Sequence, residues 1–345
     1  MESPRNIMLD TARGIAILCV FYGHFISGDS ISCEFVNRFH LPVFYLISGI
    51  LFKPTSVSVA VRKTIANYFL PFCLFWLMTF VVMLATYPMF GFVKTIVQHI
   101  HPNALLETFV YGEPKFNRSL WFLYSLGLVY FLSVVIGRLL PRRLECWVLL
   151  TVSLVLGVFI DGIGFSKGSF LPLHLESVPM ALFFFTLGRF LTTEITGGRL
   201  IHRPPRTVSA FLSFLLFYFV YSGIDSSVGM VNMHFGRFAP SVVPSSIVGI
   251  AGVLMVSYSI ADVPIIGIIL RHIGRNSLIY FACEACVANK VIEIFCLKTG
   301  VSLDNSAVAM AIIVAFVKVI LVAPFVIPIS NILKIARRWV LNQAV

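Results

Sequence analysis

Residues 5–25 read RNIMLDTARGIAILCVFYGHF. After Arg5 and Asn6, and apart from Asp10, Arg13 and His24, the run is apolar, small or weakly polar, and roughly 20 such residues cross a bilayer as a helix. A secretory signal would also begin with a basic residue. Here, however, Asp10 and Arg13 stand where its apolar core should start, and no A-x-A cleavage site follows. The run therefore reads as an uncleaved first span, 9–27. Working outward, nine further apolar blocks follow at 39–53, 68–90, 120–139, 146–162, 177–193, 208–224, 241–261, 274–296 and 306–330. The expected fold is all-α: a polytopic helical membrane protein of about ten transmembrane helices. Composition agrees. Of 345 residues, 58% are hydrophobic and only 12% charged, and mean hydropathy is +0.93. One soluble core of this length could not hide that much apolar surface. Soluble enzymes, disordered chains and disulfide-stapled secreted domains are excluded. The long apolar blocks also argue against a β-barrel, whose strands alternate over about ten residues.

The net charge is +11, which in a soluble chain would raise the question of nucleic acid. Here the positive-inside rule accounts for it, and no nucleic-acid partner is expected. Of the 26 Lys and Arg residues, fifteen fall in the loops on one side and seven on the other, with four inside or at the ends of spans. The richer side is cytoplasmic, which places both termini inside. The outer stretch 90–112, FGFVKTIVQHIHPNALLETFVYG, has the mixed character of an interfacial amphipathic helix. Seven cysteines form no disulfide framework. Cys283 and Cys286 make one C-x-x-C inside an apolar block with no second pair, so no metal site is expected.

An ionisable group inside a span costs about 2.5–3.5 kcal/mol on insertion scales and is a functional candidate by default. In the first span Arg13 and His24 are 11 residues apart, which brings them within roughly 20° of one helix face and about 16 Å apart along the axis. Asp10, three positions before Arg13, is placed to pair with it. One face thus carries a cation near the inner end and an imidazole three turns deeper. A cation at that place suits a phosphorylated donor. The imidazole suits a general base acting on a hydroxyl, since histidine titrates near pH 6.5 when unperturbed. The plainer alternative is a snorkelling arginine and a packed, hydrogen-bonded histidine. In the second span, FHLPVFYLISG at 39–49, His40 lies near the outer surface at the depth of His24, and Ser48-Gly49 is a small-residue packing signal.

These blocks resemble the acyltransferase-3 family of integral membrane acyltransferases, in particular its sugar O-acetylase branch. The family's marker is a basic residue, ten residues and a histidine at the start of the first span, matched by Arg13 and His24 in LDTARGIAIL…H. FHLPVFYLISG resembles the second-span block, SLWFLYSL at 119–126 (with Trp121) the W-F-L block, and IGRNSLIY at 273–280 the late G-x-x-S-hydrophobic-Y segment. Two departures stand out. The family often carries R-x-x-R before its third span. Here Arg62 and Lys63 are present, but Ala66 and Asn67 occupy the second position. Many members also place a histidine where this chain has Glu284, a carboxylate that could do proton work or pair with Lys290 or Lys318.

The resemblance implies that residues 1–345 form a single integral membrane acyltransferase domain in the cell's inner (plasma) membrane, in contact with membrane lipid. It implies acyl transfer from an acyl-CoA co-substrate, most often acetyl-CoA, to a hydroxyl of a glycan or lipid-linked sugar acceptor, with no permanently bound cofactor. His24 would be catalytic; Arg13, Asp10, Arg62 and Lys63 would bind the donor; His40, Ser48, Trp121 and Glu284 would support or face the acceptor. His24 acts either as a direct base or as the site of a covalent acyl intermediate. The competing class is a transporter or flippase for a glycan precursor. Buried charges suit that equally well, but no inverted repeat or matched pair of broken helices is evident. A non-catalytic scaffold gives no reason to bury three ionisable groups on one face.

Overall fold

A computed structural model describes residues 7–28, 30–90, 102–111, 114, 117–140, 142–162, 171–196, 205–223 and 239–342. Among them every regular element is helical. The chain forms α1 (Ile7–Gly23), α2 (Ile31–Asn37), α3 (His40–Ile50), α4 (Val57–Thr64), α5 (Leu70–Phe90), α6 (Pro102–Leu106), α7 (Trp121–Leu139) and α8 (Arg142–Gly162). It continues through α9 (Val178–Thr196), α10 (Arg206–Ser222), α11 (Ala239–Ile260), α12 (Ile266–Arg275), α13 (Ser277–Cys283), α14 (Asn289–Thr299) and α15 (Val308–Asn342). Single π-helical turns at Ile65–Phe69 and Glu284–Ala288 join α4 to α5 and α13 to α14.

All ten apolar blocks carry helix. Five helical stretches among the described residues are long and apolar enough to cross a membrane: Val57–Thr86, Arg118–Leu139, Pro172–Thr192, Val242–Ile260 and Val308–Asn342. The surface has the matching character. On α15, Ile320, Ile327 and Ile335 form an outward stripe, 68–71% exposed, while Val322, Val326, Ile329 and Leu333 are buried. Such a stripe would be unstable in water and is natural against lipid.

Several blocks are more broken than their apolar length suggests. The second yields only the eleven residues of α3, preceded by the short α2, whose N-cap Ser30 accepts from the Ser32 amide. The ninth is entered through α12, interrupted at Asn276 and widened by the Glu284–Ala288 turn. Part of the outer stretch expected to be an amphipathic helix, 91–101, lies outside the described residues. Its later part forms the single turn of α6 and a π turn at Glu107–Tyr111.

At the centre is α1, packed against α2, α3, α11, α12, α13 and α15. Two glycine contacts explain how closely its N-terminal half meets α12. A Cβ on Gly14 would fall on the Leu270 carbonyl, and one on Gly274 would fall on the Asp10 carbonyl. The helices touch backbone to backbone, which only glycine permits. The same device joins α3 to α9, where Gly49 faces the Phe185 carbonyl and Gly188 the Leu46 carbonyl. The packing role expected of Ser48-Gly49 thus belongs to Gly49. Fully buried aromatics, among them Phe21, Tyr45, Phe184, Phe185 and Tyr280, fill the remaining core.

Candidate active site

The part of α1 around Arg13 and Ile17 borders a cavity of about 280 Å³. Arg13, Arg275 and Arg337 contribute to its lining, with no carboxylate among the described residues, together with Ser48, Asn67, Tyr68 and Ser277. Its apolar walls include Ile17, Phe44, Phe122 and Phe281. Each arginine comes from a different helix. Arg13 is on α1, Arg275 is the last residue of α12, and Arg337 lies on the last turns of α15, which extends about 52 Å at 1.5 Å per residue and so outruns the bilayer core.

Arg275 is placed by the glycine contact next to it. Its Nε lies 3.0 Å from Asp10 Oδ2. This revises the expected Asp10–Arg13 pairing: the partner of the Asp10 carboxylate comes from α12, because Gly274 lets that helix lie directly on Asp10. Arg337 Nε is buried and meets no hydrogen-bond acceptor among the described residues. Guanidiniums are chemically suited to an anionic group such as a phosphate.

The other end of α1 carries the imidazole. The sequence places His24 within the first span, but the helix ends at Gly23. There the Phe25 amide turns back to Tyr22 O at 3.0 Å, tightening the last turn. His24 therefore sits at the tip of the helix with its side chain 40% exposed. Its Nδ1 lies 2.6 Å from Glu284 Oε2. A carboxylate accepts, so Nδ1 carries the proton, and in the neutral ring Nε2 keeps its lone pair. The other Glu284 oxygen, Oε1, takes Lys318 Nζ at 2.5 Å. The two candidate partners of Glu284 are thereby separated: Lys318 holds it, while Lys290 pairs with Glu293 at 2.6 Å.

The neighbourhood of Glu284 is also fastened. The π turn that begins there leaves the Ala282 carbonyl to accept from Asn117 Nδ2 at 2.9 Å and from Cys286 Sγ at 3.5 Å. Asn117 also donates to Thr79 Oγ1 at 3.2 Å. Cys283 and Cys286 are free thiols, and no group of potential metal ligands occurs among the described residues.

The remaining candidates divide. His40 is buried, with Nδ1 2.8 Å from Val36 O, and lies within electrostatic reach of His24 and Glu284. Ser48 lines the cavity. Arg62 and Lys63 occupy the last turn of α4 and do not line it; Asn67, one turn on, does. Trp121 is buried with its ring 5.3 Å from that of His174, which itself pairs with Glu176 at 2.7 Å. It does not line the cavity. Asp29, a conceivable neighbour of His24, lies outside the described residues, and Glu34 faces Arg38 at 4.0 Å.

Residues 6–330 match the family described as Acyltransferase domain, Acyl_transf_3. The chain belongs to the acyltransferase-3 family. No curated relative matches it. As a member of this membrane family with several bilayer-length helices, it is a multi-pass membrane acyltransferase. Arg275 and Arg337 are the acyltransferase's cavity residues that sequence reasoning missed. Arg275 stands inside the quoted IGRNSLIY block, and Arg337 among the basic residues after the last apolar block. Both read equally well as ordinary positive-inside charges.

Proposed function

We propose that this acyltransferase moves an acyl group, most simply acetyl, from a cytoplasmic coenzyme A thioester to a sugar hydroxyl of a cell-surface glycan or lipid-linked precursor. The observation that carries this reading is that α1 runs from a three-arginine cavity at Arg13 to a carboxylate-backed imidazole at its tip, about 16 Å along the axis. An extended pantetheine arm suits that separation. The donor phosphates would lie between Arg13, Arg275 and Arg337. The thioester would pass along Ile17, Phe44 and Phe281 toward His24. His24 Nε2 takes the proton of the acceptor hydroxyl as its oxygen attacks the thioester carbon. The C–S bond then breaks, and the leaving thiolate recovers the proton from the imidazolium. A route through an acyl-imidazole uses the same nitrogen first as nucleophile.

The deciding experiment is analysis of surface glycans from cells with and without this protein. Loss of one ester-linked acyl group, with glycan amount unchanged, is the expected result. A fall in glycan amount with acylation intact would favour the transporter reading instead.

The same reading has two further expected outcomes. Arg13→Ala and Arg337→Ala should each weaken coenzyme A binding by about tenfold or more, since a charge-assisted hydrogen bond contributes about 1.5–3 kcal/mol. Titration of the detergent-purified proteins with coenzyme A measures this, and unchanged affinity in a folded variant would remove that arginine from the donor site. The ten-crossing topology, with cytoplasmic termini, rests on the charge asymmetry. Single cysteines at positions 30 and 300 should label from outside and those at 58 and 268 from inside; one reversed site would remove a span.

A further inference from the structure

Lys318 stands in the apolar run VAFVKVILV of α15 and is only 2% exposed. Two independent contacts converge on its ammonium group. Nζ lies 2.5 Å from Glu284 Oε1 and 3.3 Å from the backbone oxygen of Phe21. The second contact has a specific cause. In a continuing helix the Phe21 carbonyl would accept from the Phe25 amide, but that amide turns to Tyr22 O. The Phe21 oxygen is one of the carbonyls a helix end leaves over, at the negative end of its dipole, and a lysine satisfies both needs. The Phe21 ring, 5.8 Å from Nζ, adds its face.

One side chain therefore grips the carboxylate that holds His24 Nδ1 and also the helix turn from which His24 projects. Stability alone does not explain such a residue. Burying an ion pair costs about as much as it returns, and well-packed apolar replacements often serve as well. We propose that Lys318 is a positioning residue for acyl transfer. It locks Glu284 and the last turn of α1 into one arrangement, so that His24 presents Nε2 to the acceptor hydroxyl. The proposal rests on His24 acting as the base; it adds that the base is held from outside its own helix.

The test compares kcat and donor KM of the full-length protein in detergent for Lys318→Met, Lys318→Arg, Glu284→Gln and the double variant Glu284→Gln/Lys318→Met. Lys318→Met should lower kcat by about 10²-fold, the lower end of what general-base help supplies. Its donor KM should stay unchanged, because the arginine cavity lies at the other end of α1. Lys318→Arg should recover part of the loss. The double variant should be no slower than Glu284→Gln alone, since residues acting as one unit are not additive. A brace of the fold alone would lower apparent kcat only in proportion to the folded protein lost, leaving turnover per coenzyme A-binding site normal, and its effect would multiply with that of Glu284→Gln; either result overturns the proposal, as does an unchanged kcat in Lys318→Met. Should Lys318→Met fail to fold, Lys318→Gln, neutral but able to donate, takes its place with the same expectations. His24→Gln run in parallel separates the two ideas. Normal turnover there defeats the base assignment, whereas an inactive His24→Gln beside a normal Lys318 variant defeats only the role of the lysine.

Discussion

His24→Gln should give a folded protein that binds coenzyme A normally and transfers acyl groups about 10²–10⁴-fold more slowly, the range general-base catalysis contributes. Glutamine can still donate to Glu284 Oε2, which sits 2.6 Å from His24 Nδ1, so the carboxylate keeps a partner and α1 keeps its end. What is lost is the ability to take a proton. The arginine cavity begins about two turns below, so donor affinity is the internal control. Single-turnover transfer from preloaded donor measures the step directly. Near-normal transfer by a folded, donor-binding His24→Gln protein would make His24 structural and end the proposed mechanism.

A second large effect is expected far from the chemistry. Gly274→Val puts a branched side chain where a single Cβ already falls on the Asp10 carbonyl. Overpacking costs about 1–3 kcal/mol where neighbouring side chains can move. Here the obstacle is main chain, and the helices must part. Parting them also breaks the Arg275–Asp10 pair and withdraws one guanidinium from the cavity. The loss should take a large share of the about 5–15 kcal/mol that holds a protein folded. We expect a lowered melting temperature and, in whatever protein survives, weakened coenzyme A binding. Gly28→Ala is the control, since a Cβ there meets nothing within 4 Å. Wild-type melting and affinity in Gly274→Val would show that the backbone contact does not set the cavity.

Arg13 and His24 stand out in the sequence because each interrupts an apolar run, and bilayer physics makes such interruptions costly. Lys318 interrupts one too, but its partner Glu284 is 34 residues away, beyond the reach of helical periodicity. Arg275 and Arg337 escape for the opposite reason. They sit where positive charge is expected, and an arginine that lines a cavity has the same letter as one that only follows the positive-inside rule. The helical class is legible from composition, whereas the ends of helices are not. Residues 9–27 are apolar enough for one span, yet α1 stops at Gly23, and that early stop is what leaves His24 at the tip. Likewise Asp10 and Arg13 have helical spacing for an ion pair, but a glycine on α12 brings a different arginine onto the carboxylate.

The cavity beside Arg13 and Ile17 of α1 gathers three guanidiniums with no acid in its lining among the described residues. Asp10 offsets part of that charge at Arg275, and with no anion between them the guanidiniums still repel one another. An anionic occupant removes that burden and favours the folded form by mass action, about 2.7 kcal/mol at a hundredfold excess over its dissociation constant. Supply of activated donor would then govern more than turnover. A cell depleted of it would hold a looser protein, more open to membrane proteases, and would shed the catalyst along with the reaction.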